Sequence, residues 1–439
     1  MKRMTKAAAM AAAAILPLFA LTACGSGGDA EGSGDGNTLT VWAWDPSFNI
    51  YAMQEAEKVY QKDHPDFELK IVETPWDDLQ AKLTTIAQSQ QFDELPDIFL
   101  MQNSAFQKNV INYPDVFGDY ADADIDFSEF PQSVTAYSTI DDVNYGVPFD
   151  SGTAVSALRT DVLEQAGYTI DDFTSTTWDD FITKGKDVLA KTGKPLLSGI
   201  AGSSDLLSII LQSAGGSLFD KDGQPTIAGN DVLIDAIEVY TELVESGVFV
   251  EVNSWDEYIS SFVNGSVAGT INGIWIAGSI QTAEDQAGKW AVTDLPKLDG
   301  VPDATNYSAN GGSSWAISST GDATLAADFL ASTFAGSTDF YDTILPKAGA
   351  VANWIPAGES SVYAEPSAFF SGQPIFQKVV EFGAEVPSSN TGVYFFEGRD
   401  AVSAAMTKVI GGTSIEDALD EAQADDRQLA GGAGDDDVE

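Results

Sequence analysis

Between residues 39 and 101 the apolar pattern runs strand, helix, strand, helix, strand, and this alternation restricts the fold more than any other feature of the chain. Residues 39–44 alternate and are rich in β-formers, and residues 50–60 space their apolar side chains as a helix does. His64 and Pro65 stop that helix. A second strand is expected at 67–72 and a second helix through Leu79, Leu83 and Ile86, which share one face. Pro96 and Asp97 then introduce a third strand at 98–101. A βαβαβ order implies a mostly parallel sheet with helices on both sides. We expect Trp42 and Trp44 on opposite faces of the first strand, with Trp44 turned toward a cleft.

After Gly146 the pattern changes to an extended stretch at 147–158, then helices at 161–166, 177–190, 205–214 and 231–245 with strands at 195–200 and 267–271. A second α/β unit is therefore expected to begin near Asp150, and Asn310, Gly311, Gly312, Gly349 and Ala350 are candidate points where the chain returns between units. The ends read differently. Lys2, Arg3 and Lys6 precede an apolar run over 7–20, the pattern of a signal peptide covering 1–23. Leu21-Thr22-Ala23-Cys24 resembles the lipobox of bacterial lipoproteins, which makes Cys24 the expected lipid attachment point. Residues 24–37 are mostly Gly, Ser, Asp and Glu and read as a flexible tether, and 431–439 as an acidic disordered tail. The apolar run is shorter than the roughly 20 residues a spanning helix needs, so anchoring would be by lipid alone.

The about 390 residues between these ends exceed what one compact core organises, and two lobes are expected. A formal charge of −46 repels nucleic acid and anionic ligands, leaving a neutral partner as the expectation. Cys24 is the single cysteine, so no intrachain disulfide forms. Asp122, Asp124, Asp126 and Glu129 imitate a calcium loop, but Phe127 stands where such a loop needs Gly and Ser133 where it needs Glu. No metal, cofactor or catalytic residue is implied.

Four segments carry a family resemblance: Leu39-Thr-Val-Trp-Ala-Trp-Asp45, Leu95-Pro-Asp-Ile-Phe-Leu-Met-Gln-Asn103, Tyr145-Gly-Val-Pro-Phe-Asp-Ser-Gly152 and Phe262-Val-Asn-Gly-Ser-Val-Ala-Gly-Thr-Ile-Asn-Gly-Ile-Trp275. The chain resembles the maltose/maltodextrin-type carbohydrate-binding proteins of ABC importers. That resemblance implies a two-lobed, periplasmic-binding-protein-like α/β fold of type II, with the ligand in a cleft between lobes joined by hinge strands. Its lobes would be 38–149 plus 312–350, and 150–311 plus 351–430. It places Asp45, Gln102, Asn103, Asp150, Trp275, Tyr394 and Phe395 at cleft positions, to which Trp44 at the end of the first strand is added as a candidate. It also implies a monomer that hands a neutral oligosaccharide to permease subunits from the outer face of the cytoplasmic membrane. The loop Asp45-Pro-Ser-Phe48 lacks the basic residue some maltodextrin binders carry, and Met101 replaces an aromatic; both departures bear on which sugar is bound and leave the class unchanged. Among relatives the chain looks most similar to bifidobacterial binders of the α-1,6-linked sugars raffinose, isomaltose and panose.

The residue types suit such a ligand. A sugar presents an apolar C–H face and a hydroxyl rim, so Trp275 serves as a platform beneath it, and Asp45 and Asp150 as acceptors at its edge. Paired carboxylates in a sugar cleft are also the machinery of a glycoside hydrolase, and a surface adhesin would need no small ligand at all. Those are the alternative readings.

Overall fold

In the computed structural model the residues described are 36–220, 223–387 and 393–432, with side chains through 425. Cys24, the signal segment, nearly all of the tether and most of the acidic tail lie outside them. The strand Thr38–Ala43 buries Leu39, Val41 and Ala43 on one face and pairs in parallel with Glu68–Glu73 on one side and Ile98–Gln102 on the other. Parallel pairing needs a long crossover, and the helices Asn49–Tyr60 and Trp76–Ser89 supply it. A staple fixes the register. Asp97 accepts from the Thr40 amide at 2.7 Å through its carboxylate, while its own amide donates to the Thr40 hydroxyl at 3.0 Å. Ser313–Ile317 then enters antiparallel beside Ile98–Gln102, and Val147–Pro148 closes a five-stranded sheet.

Trp42 and Trp44 are not divided between faces as expected. Being two residues apart they share one face, and both indoles pack at the margin of the cluster containing Leu79, Phe99 and Phe106.

The second half is an α/β unit whose main sheet, unlike the first, is antiparallel. Ala154–Arg159 is flanked by Gly269–Gly273 and Trp290–Thr293, both antiparallel to it. Strands on both sides bury all six of its residues. The separate pair Leu197–Ile200 and Phe249–Val252 is parallel. Hydropathy period reports a strand but not the direction of its neighbour, which here depends on segments more than a hundred residues away. The largest core cluster lies around Trp178, Phe181, Tyr240 and Leu243 and is completed from the far end of the chain by Val402, Met406 and Leu419. Trp354 and Ala357, expected in the second lobe, pack instead with Phe149, Trp315 and Phe329 of the first sheet's core. The Trp354 indole donates to Glu129 at 2.8 Å, which fixes that placement.

Three segments run side by side where the chain passes between the sheets. The Phe149 amide donates to the Ser313 carbonyl at 2.9 Å, Ser151 to Val351 at 2.9 Å, and Ala154 to Ser308 at 2.8 Å. Asn310 returns a bond to the Gly152 carbonyl at 2.7 Å. A Cβ at Gly152 would stand 2.7 Å from the Gly311 carbonyl oxygen, so glycine is required for the two backbones to approach this closely.

Candidate ligand-binding cleft

A solvent-open cavity of about 780 Å³ lies where these crossing segments meet the ends of the strands. Gln102, Asn103 and Ser104, at the carboxyl end of the strand Ile98–Gln102, form part of one wall together with Tyr137. Ligands of open α/β sheets sit outside such strand ends. Asn103 is held by its own surroundings: its amide donates to the Gly312 carbonyl at 3.0 Å, and its side-chain oxygen accepts from Ser314 at 2.7 Å. The facing wall combines Leu211 and Gln212 of the helix Asp205–Ser213 with Phe395 and Arg399 of the helix Phe395–Ile410. Gln212 is also engaged, accepting at 3.0 Å from both the Ser308 hydroxyl and the Ala309 amide.

Trp275 follows the strand Gly269–Gly273 and borders this cavity through a bond from its indole nitrogen to the Asn310 carbonyl at 2.9 Å. A Cβ at Gly273 would collide with that indole, and one at Gly311 would crowd it at 3.0 Å. Trp275 is half-buried, and its ring lies 5.9 Å from that of Trp255, tilted by 32°. Trp255 is 38% exposed and lines a second cavity of about 460 Å³ together with Asp205, Tyr258 and Asn272. Two polar links join the linings of the two cavities. Asn310 donates to Asn272 at 2.9 Å, and the Arg399 guanidinium pairs with Asp205.

Of the residues expected from the sequence, the structure brings Gln102, Asn103 and Phe395 to the first cavity and Trp275 to its border. Trp44 lies further off, linked through aromatic contacts: its ring is 5.2 Å from Trp76 at 68°, Trp76 is 6.0 Å from Phe396, and Phe396 is 5.5 Å from Phe395. Asp45 turns back on its own loop, accepting from the Ser47 amide at 2.8 Å. Burial raises its pKa, and the bonds from Ser47 and Phe48 oppose that rise.

Asp150 and Tyr394, like Trp44 and Asp45, line neither cavity. Asp150 is buried in the crossing and accepts from the Ser313 amide at 3.0 Å and its hydroxyl at 2.5 Å. Burial pushes its pKa up to about 6 despite those bonds. Tyr394 instead packs against the core that holds Val402 and Met406.

Sequence reasoning missed Tyr137, Asp205, Gln212, Trp255 and Arg399 as lining residues, and pointed to Asn310 only as a place where the chain returns between units. A cation four residues beyond Phe395, in so acidic a chain, was the one available signal. Among the described residues no cluster of His, Cys, Asp or Glu is arranged to hold a metal ion, and no helix is long and apolar enough to cross a membrane.

With this geometry in hand, similarity to known proteins identifies the class. Residues 55–345 match the family model of bacterial extracellular solute-binding proteins. The lactose-binding protein of Rhizobium radiobacter is 37% identical over 87% of this chain and 90% of its own length. The arabinooligosaccharide-binding protein of Halalkalibacterium halodurans is 24% identical over 84% of this chain and 82% of its own. The fold matches that of the ABC transporter-associated binding protein from B. animalis subsp. lactis, solved with β-1,6-galactobiose, with a TM-score of 0.75 at 18% identity over 90% of this chain and 96% of that one. These relatives are binding proteins and not enzymes, which sets aside the hydrolase reading. The chain belongs to the bacterial extracellular solute-binding proteins, with their two-lobed α/β fold.

Proposed function

We propose that this protein reversibly binds a neutral oligosaccharide carrying a galactose unit and delivers it to the permease of an ABC importer. The observation that carries the reading is the open cavity whose walls offer amides from Gln102, Asn103 and Asn310, the Phe395 ring, and Trp275 at its border. Amides serve hydroxyls as donor and acceptor, and the rings suit the C–H face of a hexose. A galactoside is the class shared by two lines of support. Raffinose, one of the α-1,6 sugars suggested by sequence resemblance along with isomaltose and panose, contains galactose, and so does the lactose named for the relative at 37% identity. The lobes would be 38–149 with 312–350, and 150–311 with 351–430, apart from the stretch around Trp354 and Ala357 that packs on the first sheet. Closure of these lobes on the sugar would favour the state in which both walls touch it.

Calorimetric titration with raffinose, lactose, isomaltose, panose and maltotriose tests the proposal. Binding of raffinose or lactose at least about tenfold tighter than maltotriose, a difference of about 1.4 kcal/mol, is expected. No heat with any neutral sugar would reject it. In the cell the protein would stand as a monomer on the outer face of the cytoplasmic membrane, held by acyl chains on Cys24. Cys24→Ala should then release it into the medium, and membrane retention after that change would refute the anchor.

A further inference from the structure

The chain carries a formal charge of −46, yet each of the two cavities is lined by a single charged side chain among the described residues: Arg399 in the first and Asp205 in the second. Those two side chains are paired with each other across 194 residues of sequence. Arg399 also donates through Nε to the Ser204 hydroxyl at 3.0 Å, and its guanidinium lies 5.6 Å from the centre of the Phe395 ring. Its side chain is 15% exposed and that of Asp205 41%. A guanidinium has five N–H donors in a fixed fork, so one held by Ser204 and Asp205 keeps others to offer a ligand while its charge is cancelled.

We infer that Asp205 is a specificity-determining residue: by neutralising Arg399 it makes the cleft accept uncharged sugars and turn away their carboxylated forms. Specificity of this kind comes from what a site refuses as much as from what it holds. Without Asp205, Arg399 would keep only the field of its neighbour Asp400, with which it forms no direct ion pair, and would stand as a shielded cation beside the Phe395 ring that recruits an anion. Paired, it donates to hydroxyls without attracting one. The surrounding acidic surface adds repulsion, but a wide field separates sugars only weakly, whereas a charge in the lining acts at contact distance. The inference rests on the sugar reading above and adds to it the charge class of the ligand.

The test uses raffinose, lactose and derivatives of both in which C6 of the galactose is oxidised to a carboxylate, titrated into wild type, Asp205→Asn, and the double variant Asp205→Asn/Arg399→Gln. Wild type is expected to prefer the neutral sugars by at least about tenfold. Asp205→Asn should bind the uronates at least about tenfold more tightly than wild type does, with a steeper salt dependence, and the double variant should lose that gain. Uronate affinity unchanged between wild type and Asp205→Asn would overturn the inference, as would a gain that survives in the double variant. Asp205→Ser replaces Asp205→Asn if the latter does not fold. Should wild type bind neither neutral sugar, the sugar reading fails by itself. The charge inference is then decided by the thermal shift with free glucuronate: a shift confined to Asp205→Asn sustains it, and equal shifts in all three proteins overturn it.

Discussion

The two walls of the cleft are built differently. Asn103 is fixed by neighbours on its own sheet, Gly312 and Ser314, so the wall it shares with Gln102 is set by strand register. The facing side is held together across distant elements: the Trp275 indole donates to the main-chain carbonyl of Asn310, the Asn310 side chain to that of Asn272, and Arg399 pairs with Asp205. The first wall is therefore a rigid reference surface, and the second is where substitutions should change both affinity and selectivity. The walls also touch. Glu397 and Phe396, at the start of the helix Phe395–Ile410, meet Lys108 and Trp76 of the first unit, while the body of that helix sits in the core of the second.

The largest expected effect is at Trp275, the ring proposed as the platform beneath the sugar. Trp275→Ala should weaken sugar binding at least about thirtyfold, about 2 kcal/mol, because a ring that stacks on the ligand carries a large share of the affinity. Calorimetry checks this, and a melting curve without sugar checks the fold. The melting temperature should fall by only a few degrees, roughly the cost of one lost hydrogen bond to Asn310 and some partial burial. A collapse of the fold without sugar would mean that Trp275 belongs to the core and would erase the contrast between the walls.

The next effect is in the crossing between the sheets. The Asp150 pKa is raised from 3.8 to about 6 in the folded protein, chiefly by burial. Between those values the native state binds more protons than the unfolded state, so this group's contribution to stability falls as pH rises through the window and is level on either side. Asp150→Asn keeps an oxygen for Ser313 to donate to and removes the titration. Relative to wild type the variant should be more stable at pH 7 than at pH 4.5, by on the order of 1 to 2 kcal/mol, in urea unfolding at the two values. An equal difference at both would show that the carboxylate is not confined as the structure places it.

The smallest expected effect is at the contact between the walls. Lys108 is partly buried, which lowers its pKa, and it pairs with Glu397. Glu397→Gln should weaken sugar binding three- to tenfold, about 1 kcal/mol, chiefly by faster release, because partly shielded ion pairs contribute more than exposed ones. Stopped-flow dissociation measures this. The radius of gyration of the sugar-bound protein in scattering should remain that of the closed form, and an unchanged dissociation rate would make the pair incidental to closure.

What could be read from the sequence follows from the range over which each interaction acts. The alternation through residues 39–101 specified three strands and two crossover helices, because period and turn residues are local properties, and the order βαβ itself demands parallel pairing. The family resemblance, not periodicity, pointed to Gln102 and Asn103, and the structure puts both in the cavity lining at a strand end, where open α/β sheets hold their ligands. The acids were a different matter. Asp45 and Asp150 are ordinary acceptors in a chain with 67 acidic residues, and only the folded backbone gave one to the Ser47 amide and the other to Ser313. The antiparallel sheet around Ala154–Arg159, the return of Trp354 to the first core, and the pairing of Arg399 with Asp205 were likewise decided by tertiary structure. Each depends on a partner far away in sequence. Local periodicity carries no information about such partners, whereas burial of a strand, an indole or a charge is settled only when the partner arrives.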